Sequence, residues 1–328
     1  MNSYLIIISI FFSGYLWLKY LYKYDKAEPE PLGTVIRVAL LGGVISTSLA
    51  GLLNENFASF LGIDLATMEI LPLAQGIPFA IFVGINEEFV KALTTILLVR
   101  KLKELDEPID AIIYATAVGL GFAVIENFAY CLKEGKLVTL AIRSFTAMPL
   151  HIGLAAVWGY KIAEAKFIKR TPLFQEMLPS ILLASVIHAV YDAIAFTTET
   201  PLVPLFVSLF IAYLLIKFAK QKLIYLLTQS PFIKTGLCIH CGTFNAPSDT
   251  ICNGCGRSIK QVFYKICDSC FHRNPAYNTV CENCSEPLTG LDFTSEHTEK
   301  RFAGIKPVNS SPMQSMLEEL KKKVRSLE

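Results

Sequence analysis

Long apolar runs alternate with short polar connections along the first two thirds of the chain. A helix that crosses a bilayer needs roughly 20 apolar residues, each rising about 1.5 Å along the axis. Seven runs have about that length: residues 4–21, 33–53, 77–99, 109–132, 137–160, 178–198 and 201–219. The pattern predicts an all-α polytopic membrane protein with about seven transmembrane helices.

Composition and charge distribution agree with this prediction. Of the 328 residues, 53% are hydrophobic and 18% are charged, a balance typical of membrane proteins and not of soluble ones. Lys and Arg concentrate in the first, third and fifth connections and after the last run, whereas the second connection, residues 54–76, has none. The positive-inside rule then places the N-terminus outside and the C-terminal region in the cytoplasm.

Ionisable residues interrupt four consecutive runs. Their positions are Glu87, Glu88 and Lys91 in the third run, Glu126 in the fourth, Arg143 and His151 in the fifth, and His188 and Asp192 in the sixth. Each buried charge costs about 2.5–3.5 kcal/mol on insertion scales, so such residues face the bundle interior and mark functional sites. We expect them to converge, with Lys91 able to pair with Glu87 one turn away. We also expect Arg143 to pair with Glu126.

These residue types favour hydrolysis. A carboxylate beside a His can deprotonate a water molecule for attack on a carbonyl group, and a neighbouring acid or imidazole can stabilise the oxyanion. No Ser or Cys stands in a recognisable nucleophile motif, so water is the expected nucleophile. His and carboxylates are also ordinary zinc ligands. A glutamic mechanism and a metal mechanism therefore both remain open.

The motifs Glu87-Glu88-x-x-Lys91, Phe122-x-x-x-Glu126, His151 and His188-x-x-x-Asp192, in that order, resemble those of the PrsW family of intramembrane proteases. The resemblance covers about residues 1–220. It implies a peptidase of the bacterial cytoplasmic membrane that cleaves a membrane-anchored regulator such as an anti-sigma factor.

The PrsW family is similar in turn to the CAAX-prenyl and bacteriocin-processing proteases. That similarity implies that Glu87 activates water and that His188 and Asp192 form the oxyanion side. Glu88 and His151 would support or bind, and Glu126 stands where that clan often has His.

Three other functions fit buried charges in a membrane bundle. A CAAX-prenyl-type protease would act on a lipidated substrate. A receptor or scaffold without enzymatic activity would use the charges as a structural network. A transporter would use them as a proton relay, but the spans show no obvious internal repeat, which many transporters have.

Eight cysteines crowd into residues 238–284 and form two copies of CxxC-x10-CxxC. The first copy holds Cys238, Cys241, Cys252 and Cys255, and a shift of 29 residues gives Cys267, Cys270, Cys281 and Cys284. This spacing is typical of four-thiolate zinc sites, and it predicts a double zinc ribbon with two structural zinc ions. Disulfides are the alternative, which a reducing cytoplasm disfavours.

The cysteine motifs and a change in composition divide the chain into three parts. We expect a transmembrane protease domain over residues 1–225, the double zinc ribbon over 236–288, and a linker with a short tail helix over 289–328. The ribbon region has only a slight basic excess. It therefore favours a cytoplasmic protein partner over nucleic acid.

Overall fold

The structure, a computed structural model, describes residues 3–26, 28–65, 70–134, 136–200, 202–227, 229–230, 243, 251–257, 264–266, 273–275, 280–281 and 283–287. Eight α-helices form within these residues. Their bounds are α1 Ser3–Tyr22, α2 Leu32–Phe60, α3 Leu73–Val99, α4 Pro108–Glu134, α5 Leu137–Phe145, α6 Ala147–Ala163, α7 Leu173–Thr197 and α8 Leu202–Leu227. A π-helical segment, Glu164–Lys169, continues α6.

The helices confirm the predicted membrane architecture. In the part of the chain that the structure describes, six helical segments are long and apolar enough to cross a bilayer. Helix α3 has the required length too, but it carries three charged residues near its middle. The chain is an integral membrane protein of the all-α class.

Helix α4 forms the centre of the bundle and is buried along almost its whole length. It packs mainly against α6 and α2, while α3 packs mainly against α7 and α2. The outer helices expose large apolar side chains such as Phe11, Leu41 and Phe210. Apolar side chains are favourable in contact with lipid tails, whereas polar groups are favourable in the bundle interior.

The second predicted span was too short, because α2 continues beyond residue 53 to Phe60. Residues 54–56 are polar and end the apolar run, yet the helix proceeds because its last turns pack on α3. Ala58 lies in one buried cluster with Phe79 and Val83. The extension brings Asn54 into the bundle.

The fifth predicted span, residues 137–160, is not one helix. It breaks at Thr146 into α5 and α6. Pro149 explains the break, because proline has no N–H to bond with the carbonyl of Phe145 four residues earlier. The seventh span was also too short, since α8 continues past residue 219 and buries Leu223, Leu226 and Leu227.

The chain divides into two compact units, Met1–Lys260 and Gln261–Glu328. The second unit contains a short antiparallel ribbon of β1, Tyr264–Ile266, and β2, Arg273–Pro275. Cys238, Cys241, Cys267, Cys270 and the predicted linker and tail helix lie outside the described residues.

The cysteine motifs that are described form the same turn in both copies. In the first copy the N–H of Cys252 donates to the carbonyl of Arg257 at 2.8 Å. In the second copy, 29 residues later, the N–H of Cys281 donates to the carbonyl of Glu286 at 2.8 Å. Gly256 and Ser285 occupy the equivalent left-handed position, with φ of 68° and 61°. The duplication seen in the cysteine spacing is therefore repeated in the backbone.

Candidate active site

Helix α3 approaches α7 so closely that only glycine fits between them. A Cβ atom on Gly84 would lie 2.6 Å from the carbonyl oxygen of Ser185 and 2.9 Å from the backbone nitrogen of Ala189. His188 lies between these two α7 residues, and Glu87 and Glu88, one turn after Gly84 on α3, contact its ring. The glycine before the acidic pair thus positions the pair.

Helices α4 and α6 approach one another in the same way. A Cβ atom on Gly119 would lie 2.7 Å from the carbonyl oxygen of His151. The contact holds the His151 ring beside Phe122 and His188, with ring centroids 5.1 Å and 5.2 Å away. Two glycine contacts therefore assemble the site from four helices.

Glu88 is fully buried and fully engaged. Its Oε1 lies 2.5 Å from Lys91 Nζ and 3.0 Å from His188 Nδ1, and the indole N–H of Trp158 donates to Oε2 at 3.1 Å. The pairing expected between Lys91 and Glu87 is secondary, since those groups are 3.9 Å apart. The buried ammonium instead turns to the carboxylate three residues earlier.

The predicted pair between Arg143 and Glu126 is present, with Nη2 at 2.7 Å from Oε2. The Arg143 Nε–H also donates to Asn127 Oδ1 at 2.7 Å. The same Oε2 of Glu126 lies 2.9 Å from His151 Nε2. Glu126 is therefore held between a guanidinium and an imidazole.

The partners of each imidazole decide where its proton sits. Lys91 Nζ lies 3.0 Å from His151 Nδ1. An ammonium can only donate, so Nδ1 accepts and the His151 proton is on Nε2, directed at Glu126. For His188 the order is reversed, because the Glu88 carboxylate can only accept and Nδ1 must carry the proton. The Nε2 atom of His188 is left facing the other acids.

Glu87 and Asp192 form the open end of the network. The Asn54 side chain donates to Glu87 Oε1 at 3.1 Å, while Glu87 Oε2 has no hydrogen-bond partner in the described residues. His188 Nε2 lies 3.8 Å from Glu87 Oε2 and 3.5 Å from Asp192 Oδ2. Asp192 Oδ2 also lacks a hydrogen-bond partner among the residues described. Two buried carboxylate oxygens thus face one ring nitrogen.

The donor set fits a divalent metal ion as well as a water molecule. Glu87, His151 and His188 each offer a ligand atom, all within 4.8 Å of one another. The site contains four carboxylates against the two permanent cations Lys91 and Arg143, and a divalent cation would balance the remainder. For His151 to ligate, one of its nitrogens must leave Lys91 or Glu126, whereas Glu87 Oε2 is already unpartnered.

The six residues predicted as catalytic, Glu87, Glu88, Glu126, His151, His188 and Asp192, lie in one connected network. Their predicted convergence is confirmed. Sequence reasoning missed Asn54, Asn86 and Trp158. Asn86 donates to Asn54 Oδ1 at 2.7 Å and so orients the amide that holds Glu87. An Asn directly before the acidic pair was the available signal.

Comparison with known proteins identifies the family of the chain. The sequence profile described as "PrsW family intramembrane metalloprotease" matches residues 30–218. A protein named Protease PrsW from Geobacillus kaustophilus is 31% identical over 188 residues, which cover 57% of this chain and 77% of the relative. Protease PrsW from Clostridioides difficile is 31% identical over 189 residues, covering 55% and 74%.

Protease PrsW from Bacillus subtilis is 26% identical over 183 residues, which cover 55% of this chain and 78% of the relative. No solved structure gives a significant match. The family match includes every membrane residue of the candidate site and stops before the cysteine motifs. The chain belongs to the PrsW family of intramembrane proteases.

Proposed function

We propose that this protease hydrolyses a peptide bond in a membrane-anchored regulatory protein of the anti-sigma-factor kind, with Glu87 as the general base that activates water. The observation that carries the proposal is the unpartnered Glu87 Oε2, which faces His188 Nε2. Glu88, by contrast, has both oxygens engaged. A base must be able to accept a proton in the site, and Glu87 has the open oxygen.

The neighbouring residues would complete the reaction. Asn54 holds one Glu87 oxygen, so the other is aimed at the space beside His188. When the His188 ring is protonated, Nε2 can donate to the oxyanion, and Asp192 stabilises that charged ring. The site is buried among apolar helices, which favours a substrate that enters from the bilayer.

A metal-dependent reaction is the second candidate, because three nitrogen and oxygen donors converge and the acids outnumber the permanent cations. Glu87, His188 and, after it releases Lys91, His151 would hold the ion. Bound there, a divalent metal would polarise the attacking water and the substrate carbonyl. Glu88 would still orient His188 through the His188 Nδ1, and Trp158 would hold the Glu88 carboxylate in place.

Cleavage by the Glu87→Gln variant tests the proposed function. The full chain is reconstituted in liposomes with a membrane-anchored substrate, and the product is quantified. Loss of a general base lowers the rate by roughly 10²–10⁴-fold. The matched control is Glu176→Gln, which removes an acid in the first turn of α7 that pairs with Lys169 and is expected to cleave normally. Undiminished cleavage by Glu87→Gln would remove the proposal.

We further propose that the cysteine motifs bind two structural zinc ions on the cytoplasmic side, with the N-terminus of the chain outside. Support comes from the repeated turns and from the N–H of Gly254, which donates to Cys252 Sγ at 3.3 Å. Elemental analysis of the full chain is expected to give two zinc ions.

The same analysis separates the two catalytic mechanisms. A third ion that is absent from His188→Gln would favour the metal mechanism.

A further inference from the structure

A second group of buried acids lies at the opposite end of α4 from Glu126. Asp25 follows α1, Glu107 directly precedes α4, and Asp110 is in the first turn of α4. Glu126 is 16 residues further along the same helix, which corresponds to about 24 Å at 1.5 Å per residue. The group is separate from the catalytic network and needs its own explanation.

In each acid one carboxylate oxygen is fixed and the other is not. The N–H of Glu30 donates to Asp25 Oδ2 at 2.7 Å. Two backbone N–H groups of the loop before α4 donate to Asp110 Oδ2 at 2.7 and 2.9 Å. The hydroxyl of Ser230 donates to Glu107 Oε2. Within the described ranges, Asp25 Oδ1, Glu107 Oε1 and Asp110 Oδ1 have no hydrogen-bond partner.

The three carboxylates lie close together and are almost completely buried. One oxygen from each lies within 4.8 Å of the other two, and the residues are only 4%, 1% and 1% exposed. Among the residues that the structure describes, no Lys, Arg or His forms an ion pair with them. Lys166, the basic residue near Asp110, donates to the carbonyl of Leu105 instead. Ionised carboxylates this close and this deeply buried repel one another, so the cluster requires either protons or a cation.

We infer that Asp25, Glu107 and Asp110 bind a hard divalent cation of the Mg²⁺ or Ca²⁺ class through their unpartnered oxygens. Carboxylate oxygens are the ligands that these ions prefer, and no nitrogen or sulfur donor accompanies them in the described cluster. The ion would join the connection after α1 to the start of α4. Through Ser230 it would also fix the residues that follow α8. This inference does not depend on the proposed catalytic reaction.

Protons are the competing occupants of these oxygens. Burial raises the pKa of the Asp25 carboxyl to about 6 and that of Glu107 to about 8. Glu30 lies beside the cluster, and its Oε2 accepts from the Tyr114 hydroxyl at 2.6 Å. Raising the pH therefore shifts this competition toward the cation.

Electron paramagnetic resonance with Mn²⁺ tests binding directly. The zinc-replete full chain in detergent at pH 8 is expected to take up one Mn²⁺ that Mg²⁺ or Ca²⁺ displaces. Asp110→Asn and Glu107→Gln should each weaken that uptake at least about tenfold. Glu87→Gln should leave it unchanged, which separates this ion from any ion at the catalytic centre. Absence of Mn²⁺ binding, or binding lost only in Glu87→Gln, would overturn the inference.

The direction of the stability change provides a second test that survives weak binding. In the Asp110→Asn variant the new amide oxygen can still accept the two backbone N–H groups, so the local turn is preserved. With saturating Mg²⁺, this variant should unfold at a lower Tm than the wild-type chain. Without divalent cations it should unfold at an equal or higher Tm, because a repelling charge is gone. A wild-type Tm that follows pH but never the cation concentration would show protons alone.

Discussion

Two groups of buried acids in this membrane protein are assembled in different ways. In the candidate active site Glu88 and Glu126 pair with Lys91 and Arg143, while Glu87 Oε2 and Asp192 Oδ2 have no hydrogen-bond partner among the described residues. In the cluster at the start of α4, each of the three acids has one oxygen without a hydrogen-bond partner in the described part of the chain. We therefore propose that the same side-chain chemistry provides a reactive carboxylate where cations are built in, and a cation site where they are not.

The built-in cations make the strongest prediction about stability. Lys91→Met leaves the fully buried Glu88 without its ammonium partner, and removing one member of such a pair costs roughly 3–5 kcal/mol. Lys169→Met removes an ammonium that is 43% exposed beside Glu176, and this solvent-screened pair should contribute far less to stability. Denaturation in detergent compares the two variants. Equal losses would show that burial of the catalytic pair has no special effect.

The close approach of α3 to α7 gives a second prediction, with a smaller expected loss of stability. Gly84→Ala places a Cβ atom 2.6 Å from a backbone oxygen of α7, so α7 must shift and carry His188 away from Glu88. We expect cleavage to fall at least about tenfold with a loss of about 1–3 kcal/mol from overpacking. Gly51→Ala in α2 meets no atom within 4 Å and should be neutral or slightly stabilising. Full activity in Gly84→Ala would show that the close contact is dispensable.

Loss of the Trp158 indole N–H is expected to have the smallest effect on cleavage. Trp158→Phe removes one N–H donor from the charged Glu88 and leaves a smaller aromatic ring in the core. Loss of a hydrogen bond to a charged group costs about 1.5–3 kcal/mol. Thermal unfolding should show the loss, and the residual cleavage should exceed that of Glu87→Gln. A variant as inactive as Glu87→Gln would assign the indole a direct part in the reaction.

The sequence was sufficient for the features that depend on periodicity and rare residue types. Charges inside apolar runs predicted the convergence of four helices and the pair between Arg143 and Glu126. The sequence alone did not identify Glu88 as the main partner of Lys91. Residues three and four positions apart both lie near one another on a helix, and the packing of the bundle determines which pair forms.

The roles of neutral polar residues and of acids in the connections could not be predicted from the sequence. Asn54 lies past the end of an apolar run, and Trp158 reads as an ordinary core residue. Both acquire their roles only once α2 and α6 are packed on α3. Asp25 and Glu107 stand beside connections, where acids are normally solvated. Their burial follows from tertiary packing, which no local pattern encodes.

The most direct test measures cleavage and thermal unfolding on the same preparations of Glu87→Gln and Glu88→Gln. These variants remove one charge each from adjacent residues in one helix. Our account predicts that Glu87→Gln unfolds at the wild-type temperature but does not cleave. The reason is that Oε2 of Glu87 activates water and stabilises no contact between helices. Glu88→Gln should unfold at a clearly lower temperature. Cleavage by Glu87→Gln at the wild-type rate would contradict the account.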